Sequence, residues 1–256
     1  MRNKFILLVI ILFFVNGCDS QKEFHVNFTK LSSKKTNIHF ENKLIEGPNT
    51  NVLLYEYFYN GSGVAIADFN GDKKLDIYFT SNMGENKMYI NRGDFEFEDI
   101  TQKSKTLGRN GPWKTGVTAV DINGDKRMDL YVCYSGMVKK ENRKNQLFLN
   151  MGNDSDGIPQ FTEVAGLYGL DSEAYSNQSY FFDYDRDGDL DMLLMNHNPK
   201  SLPILGVKKT KILLREDSPM NGLRLFEQKN RRFYDITSKT NINGSSLSYG
   251  LGIAIS

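Results

Sequence analysis

The sequence predicts an all-β fold, a β-propeller of four-stranded blades, from three observations. A motif of apolar run, acidic turn and second apolar run occurs three times, in "GVAIADFNGDKKLDIYFTSN" (63–82), "GVTAVDINGDKRMDLYVCYS" (116–135) and "QSYFFDYDRDGDLDMLLMNH" (178–197). Each copy is followed by "KMYINRG", "QLFLNMG" or "LRLFEQK" and then by an aromatic-led tail, "FEFEDIT", "FTEVAGL" or "FYDITSK". The first Asp of the turns recurs at spacings of 53 and 62 residues, the length of a blade of several short strands. The strands also look apolar on both faces: Val64 and Ile66 point one way, Ala65, Ala67 and Phe69 the other, as strands sandwiched between blades require. No segment carries a 3.6-residue apolar stripe.

Element by element, "MRNK" and the apolar "FILLVIILFFV" (5–15) form a basic start and a short apolar core, the pattern of a secretory signal peptide. It ends on "VNGC" (15–18), which resembles a bacterial lipobox and implies cleavage before Cys18 and lipid attachment there. Residues 1–17 are thus expected as signal peptide and 18–54 as lipid anchor and tether, rich in polar and basic residues. Residues 55–256 divide into repeats 55–112, 113–177 and 178–243 and a partial fourth, 244–256, whose "SYGLGIAIS" matches the lead-in to each earlier turn. Three repeats and the start of a fourth make a partial ring, expected to be truncated from about seven blades.

The turns carry the chemistry. Oxygen-bearing side chains stand at positions one, three, five and nine of each: Asp68, Asn70, Asp72 and Asp76; Asp121, Asn123, Asp125 and Asp129; Asp183, Asp185, Asp187 and Asp191. With a backbone carbonyl at position seven, such a loop can cage one hard, oxygen-seeking cation, Ca2+ before Mg2+. An EF-hand is excluded, because position twelve is Phe79, Val132 or Leu194 instead of a bidentate Glu. Carboxylates held ~5 Å apart repel by ~3 kcal/mol per pair at an effective dielectric near 20, which argues against turns without a cation. Loop three has Gly188 at position six, where left-handed backbone is expected; loops one and two have Lys73 and Lys126 there and hold their glycines at Gly71 and Gly124. On this ground loop three is expected to bind metal most tightly.

These loops within β repeats resemble the FG-GAP/VCBS repeats of integrin-α-like propellers. They are closer still to the bacterial secreted lipoproteins that join such repeats to an ASPIC/UnbV domain, a family with cartilage acidic protein as its animal relative. The likeness runs from about residue 36 onward and is strongest in 55–101, 113–125, 145–150 and 181–197. It implies a calcium-bound propeller, with the side chains above as ligands and the backbone carbonyls of Lys74, Arg127 and Asp189 completing the three sets. It also implies a binding or adhesion role toward a glycan or protein ligand, in the envelope of a Gram-negative bacterium, lipid-anchored at the outer membrane or cell surface.

Composition narrows the classes further. With 32 Lys+Arg against 31 Asp+Glu there is no global field for nucleic acid. The basic runs "KKENRK" (139–144) and "KKTK" (208–211) read as solvated loops. Two cysteines cannot found a disulfide framework, and Cys133, in an apolar strand, reads as a buried free thiol. No nucleophile elbow, zinc motif, dinucleotide fingerprint or phosphate loop is present, so no catalytic residues are assigned. Of three histidines, His197 ends a strand and is read as a loop hydrogen-bonder over a catalytic base. The alternative is a polysaccharide lyase or hydrolase, its active site in a missing part or in the stretch 198–220.

Overall fold

The computed structural model describes residues 28–253, and the blades belong to one unit that begins at Ser33. Cys18 and the leader before it lie outside the described residues. Three four-stranded antiparallel sheets follow one another along the chain. Blade one comprises β1 (Val64–Ala67), β2 (Asp76–Phe79), β3 (Lys87–Gly93) and β4 (Glu96–Asp99). Blade two comprises β5 (Lys114–Val120), β6 (Asp129–Tyr134), β7 (Gln146–Asn153) and β8 (Pro159–Glu163). Blade three comprises β9 (Ser176–Phe182), β10 (Asp191–Asn196), β11 (Arg224–Lys229) and β12 (Arg232–Asp235). Each is a simple meander, and the first strands β1, β5 and β9 pack side by side. This is the propeller-like architecture the sequence predicts, without a closed ring. Helix is confined to short pieces, and no helix of the described residues is long and apolar enough to cross a membrane.

The blades are held by apolar layers between sheets. Ala65, Ala67, Tyr78, Met88 and Ile90 of blade one meet Val117, Leu130, Val132 and Phe148 of blade two. Tyr131, Cys133 and Leu147, on the far side of blade two, meet Met192, Leu194 and Phe233 of blade three. Burying such side chains fully contributes roughly 1.5–3 kcal/mol each. Gly63 and Gly116 let neighbouring first strands approach: a Cβ on Gly63 would lie 2.6 Å from the Val117 amide nitrogen, and one on Gly116 2.5 Å from the Asn177 carbonyl oxygen. Hydroxyls then cross the seams, Thr80 donating to the Thr115 carbonyl (2.6 Å) and Thr115 to that of Ser176 (2.8 Å).

Burial on both faces holds for β6, buried at all six positions, but not for β1. Val64 and Ile66 are more than half exposed, because no blade covers that side of blade one. The outer part of the same face is covered by the chain itself: Phe40 stacks on Phe79 at 4.6 Å, and the His39 amide donates to Tyr89 Oη (3.3 Å).

From Asn37 onward, therefore, the stretch expected as a tether is seated on the blades. It continues across the end of the sheets opposite the acidic turns and touches the same repeat position in each blade, six residues after position nine of the turn. Asn42 Nδ2 donates to Asn82 Oδ1 (2.8 Å), Tyr55 Oη donates to Ser135 Oγ (3.1 Å), and Tyr55 Oη lies 3.2 Å from His197 Nε2. Tyr55, Tyr57 and Phe58 are buried beneath it with Trp113. At the other end of the chain, residues 248–253, expected to open a fourth blade, form no strand. They run beside blade three, with Asn177 Nδ2 bonded to the Gly250 carbonyl (3.1 Å) and the Ile253 amide to Tyr180 Oη (3.0 Å).

Candidate metal centre

Each acidic turn closes a hairpin between the first two strands of its blade. Position nine is paired across the hairpin with the residue before position one: Asp76 with Ala67, Asp129 with Val120 and Asp191 with Phe182. The side-chain spacing then writes one hydrogen-bond network three times. The carboxylate at position one accepts from the amides of positions five and six: Asp68 from Asp72 (3.1 Å) and Lys73 (2.7 Å), Asp121 from Asp125 (3.0 Å) and Lys126 (2.8 Å), Asp183 from Asp187 (3.1 Å) and Gly188 (3.2 Å). The oxygen at position three, of Asn70, Asn123 or Asp185, accepts from the amide of position five. Position five accepts from the amide of position seven, so Asp72, Asp125 and Asp187 receive Lys74, Arg127 and Asp189. These are Asx-type turns stacked in sequence, and they bend the backbone around one point.

Position nine does different work. Asp76, Asp129 and Asp191 are fully buried, and each bridges two strands. One oxygen accepts from the amide of position two, in Phe69 (2.9 Å), Ile122 (3.1 Å) and Tyr184 (2.8 Å); the other accepts from the third strand, in Asn91 (2.9 Å), Asn150 (2.7 Å) and Gln228 (2.9 Å). Burial pushes the Asp76 and Asp129 carboxyls up to about 6, against the lowering effect of those amides and with the aspartates at positions one and five adding to the rise. Asp191 is raised too, by burial first, with Asp185 and Asp187 at positions three and five adding to the rise. A cation in the loop would favour the ionised form of these groups.

The backbone corrects the expected ranking of strain. Position six is left-handed in every loop, with φ of 69° at Lys73, 67° at Lys126 and 96° at Gly188. Position four is left-handed too, at Gly71 (77°), Gly124 (74°) and Arg186 (63°). Each loop thus places one glycine and one side-chain-bearing residue in the unfavourable region. A residue with a side chain pays ~1 kcal/mol there, and that cost, expected in loops one and two alone, falls equally on loop three at Arg186.

What separates the loops is charge. In loop one Lys74 Nζ lies 3.0 Å from Asp72 Oδ2, and in loop two Arg127 lies 2.5 Å from Asp125 Oδ2, which also accepts from Asn123 Nδ2 (2.9 Å). In loop three position seven is Asp189, and Asp183, Asp185 and Asp187 each offer a carboxylate oxygen within 4.8 Å of the others. Asp189 Oδ1 is buried without a hydrogen-bond partner, and burial first, then Asp187 and Asp191, raises its pKa. Five aspartates and one arginine therefore stand in loop three, against three aspartates and two basic residues in each of the others. This donor set fits a hard divalent cation such as Ca2+, for which loop three would supply Asp183, Asp185 and Asp187.

Contacts between blades, which spacing within a repeat does not reveal, hold loop one in place. Asn150 Nδ2 donates to the Phe69 carbonyl (2.9 Å), and Asn153 Nδ2 to that of Asn70 (2.7 Å), so blade two grips loop one. The asparagines of "FLNMGN" are the signal that could have been read. At the opposite end, His197 is buried, its ring stacked on Tyr57 at 3.8 Å, its Nε2 3.3 Å from Ser135 Oγ and its Nδ1 without a partner. Burial pushes its pKa down to about 3, so the imidazole is neutral. His39 lies exposed beside blade one, and His25 falls outside the described residues. Cys133 is the buried free thiol its strand implies.

Comparison with known proteins agrees with this geometry. Residues 68–132 match the FG-GAP-like repeat. That stretch starts at position one of loop one and ends within β6, taking in most of one repeat and the turn of the next. The chain is also similar to cartilage acidic protein 1, at 28% identity over 148 residues in the human and mouse proteins and 26% over 153 residues in that of Xenopus tropicalis. These alignments cover 57–58% of this chain and 22–23% of the relatives, so the chain spans under a quarter of their length. The repeat and the distant likeness support a propeller-like binding module.

Proposed function

We propose that this chain is a calcium-binding lipoprotein of the cell envelope, lipid-anchored at Cys18, whose blades present a binding or adhesion surface for a glycan or protein ligand and carry no catalytic centre. The observation that carries the calcium reading is the threefold identity of the loop network, culminating in the Asp183–Asp185–Asp187 cluster. Coincidence does not place matching acceptors at positions one, three, five and nine of three separate loops. The metal would supply charge neutralisation and fix the hairpins. The binding role rests on the FG-GAP-like repeat and on rigid blades that carry loops at both ends.

A circular-dichroism melt in 1 mM Ca2+ and again in excess EDTA tests the calcium reading. A site with a dissociation constant near 10⁻⁴ M contributes about 1.4 kcal/mol, so occupied loops raise the midpoint by several degrees. A folded chain with an unmoved midpoint would remove the calcium reading. Retention on a glycan or protein array without turnover is the result expected of a binding module, and turnover of an array member would make it an enzyme.

A further inference from the structure

The connection between β10 and β11 does not match those of the other blades. Its roots are pinned: Lys200 O accepts from Tyr249 Oη (2.8 Å), Ser201 Oγ donates to Glu56, and Asp217 forms an ion pair with Arg224 (2.6 Å). Between these roots residues 202–213 bury no side chain, including the short helix Val207–Leu213. Ile204 is fully exposed, Val207 is 73% exposed, and Ile212 and Leu214 are nearly half exposed. Lys200, Lys208, Lys209, Lys211 and Arg215 alternate with these aliphatic residues, and no ion pair neutralises them among the described residues. Two acids stand near the basic run, Glu216 within it and Glu56 at its root, where it accepts from Ser201, while Asp217 is held by Arg224.

Water alone does not account for this pattern. A solvated helix keeps its aliphatic side chains on the packed side, yet here Val207 and Ile212 share the exposed side with Lys208 and Lys211. Ile204 and Val207 also stand out from the surface instead of lining a groove, so a partner with a shaped pocket-filling peptide finds nothing to enter. A surface that takes aliphatic groups to a shallow depth and presents negative charge just above them satisfies both residue types. Lysine stems lie along the apolar layer while their ammonium groups reach the phosphates.

We infer that the 198–215 segment docks on an anionic lipid surface, with Ile204 and Val207 inserted below the phosphates and the lysines paired with them. The segment leaves β10 at the end opposite the metal loops, so docking turns the acidic loops away from the membrane. The inference does not depend on metal binding or on the lipid anchor.

The folded unit begins at Ser33, so the test uses the chain from residue 18 onward carrying Cys18→Ser, which lacks both leader and lipid. With Cys133 buried, Ile204→Cys in this background provides a single reactive thiol for an environment-sensitive dye. Vesicles of phosphatidylcholine mixed with phosphatidylglycerol should shift the dye emission to the blue, and brominated acyl chains should quench it. The combined Lys208→Gln, Lys209→Gln and Lys211→Gln variant, all at surface positions, should weaken partitioning by about 100-fold. A silent dye with anionic vesicles overturns the inference and leaves the patch to an acidic protein partner. An equal shift with pure phosphatidylcholine overturns it as well, because the lysines would then have no role.

Discussion

Loops one and three share a backbone and a hydrogen-bond network but not a charge. In loop one the amine of Lys74 lies against Asp72, where it would compete with a bound cation. In loop three, among the described residues, no basic side chain forms an ion pair with the cluster, and the three carboxylates of Asp183, Asp185 and Asp187 face one another. The geometry of such a turn is therefore set by the Asx hydrogen bonds, while the charge it would offer a cation is set separately by positions three and seven. Strain does not discriminate between them, since Lys73 and Arg186 occupy the same left-handed region at different positions.

Four pairs of substitutions break or sharpen that comparison. The largest effect belongs to the part the loops share. Asp129→Ala and Asp191→Ala each leave two buried amides without an acceptor and should cost about 3 kcal/mol in EDTA, read from urea unfolding. A loss confined to one loop would show that position nine is not a common strut. Next, Asp187→Ala should lower calcium affinity at least ~10-fold more than Asp72→Ala by calorimetry, since it dismantles the cluster with no tethered cation. The reverse order would end the charge argument. Third, Lys73→Gly and Arg186→Gly should each stabilise the calcium-free chain by about 1 kcal/mol, and by similar amounts. A gain at Lys73 alone would restore the idea that loop three is unstrained. Smallest, Lys74→Gln and Arg127→Gln should raise calcium affinity of loops one and two about twofold, as expected for an exposed pair worth well under 1 kcal/mol. No change would mean that these cations do not compete with the metal.

Much of this was legible in the residues themselves. Loop spacing depends only on local sequence, so the three hairpins and the blade order could be read directly. Arg186 could not, because nothing in an arginine advertises left-handed backbone; only its placement between Asp185 and Asp187, matching Gly71 and Gly124, hints at it. The exposed face of β1 was misread because "VAIA" looks the same whether or not a neighbour covers it. The seating of residues 37–58 was hidden by polar composition, although the aromatic run Tyr55, Tyr57 and Phe58 was there to be weighed.

The reach of Tyr55 has a consequence for how the molecule is made. Its hydroxyl meets Ser135, 80 residues later, and His197, 142 residues later. A ribosome that emits the chain from its amino end delivers Tyr55 long before either partner exists, so the aromatic run stays uncovered while two further blades are synthesised. Closing so long a loop is slow relative to forming a hairpin. The first-made segment is thus among the last to settle, and its seating marks the moment at which all three blades are in place.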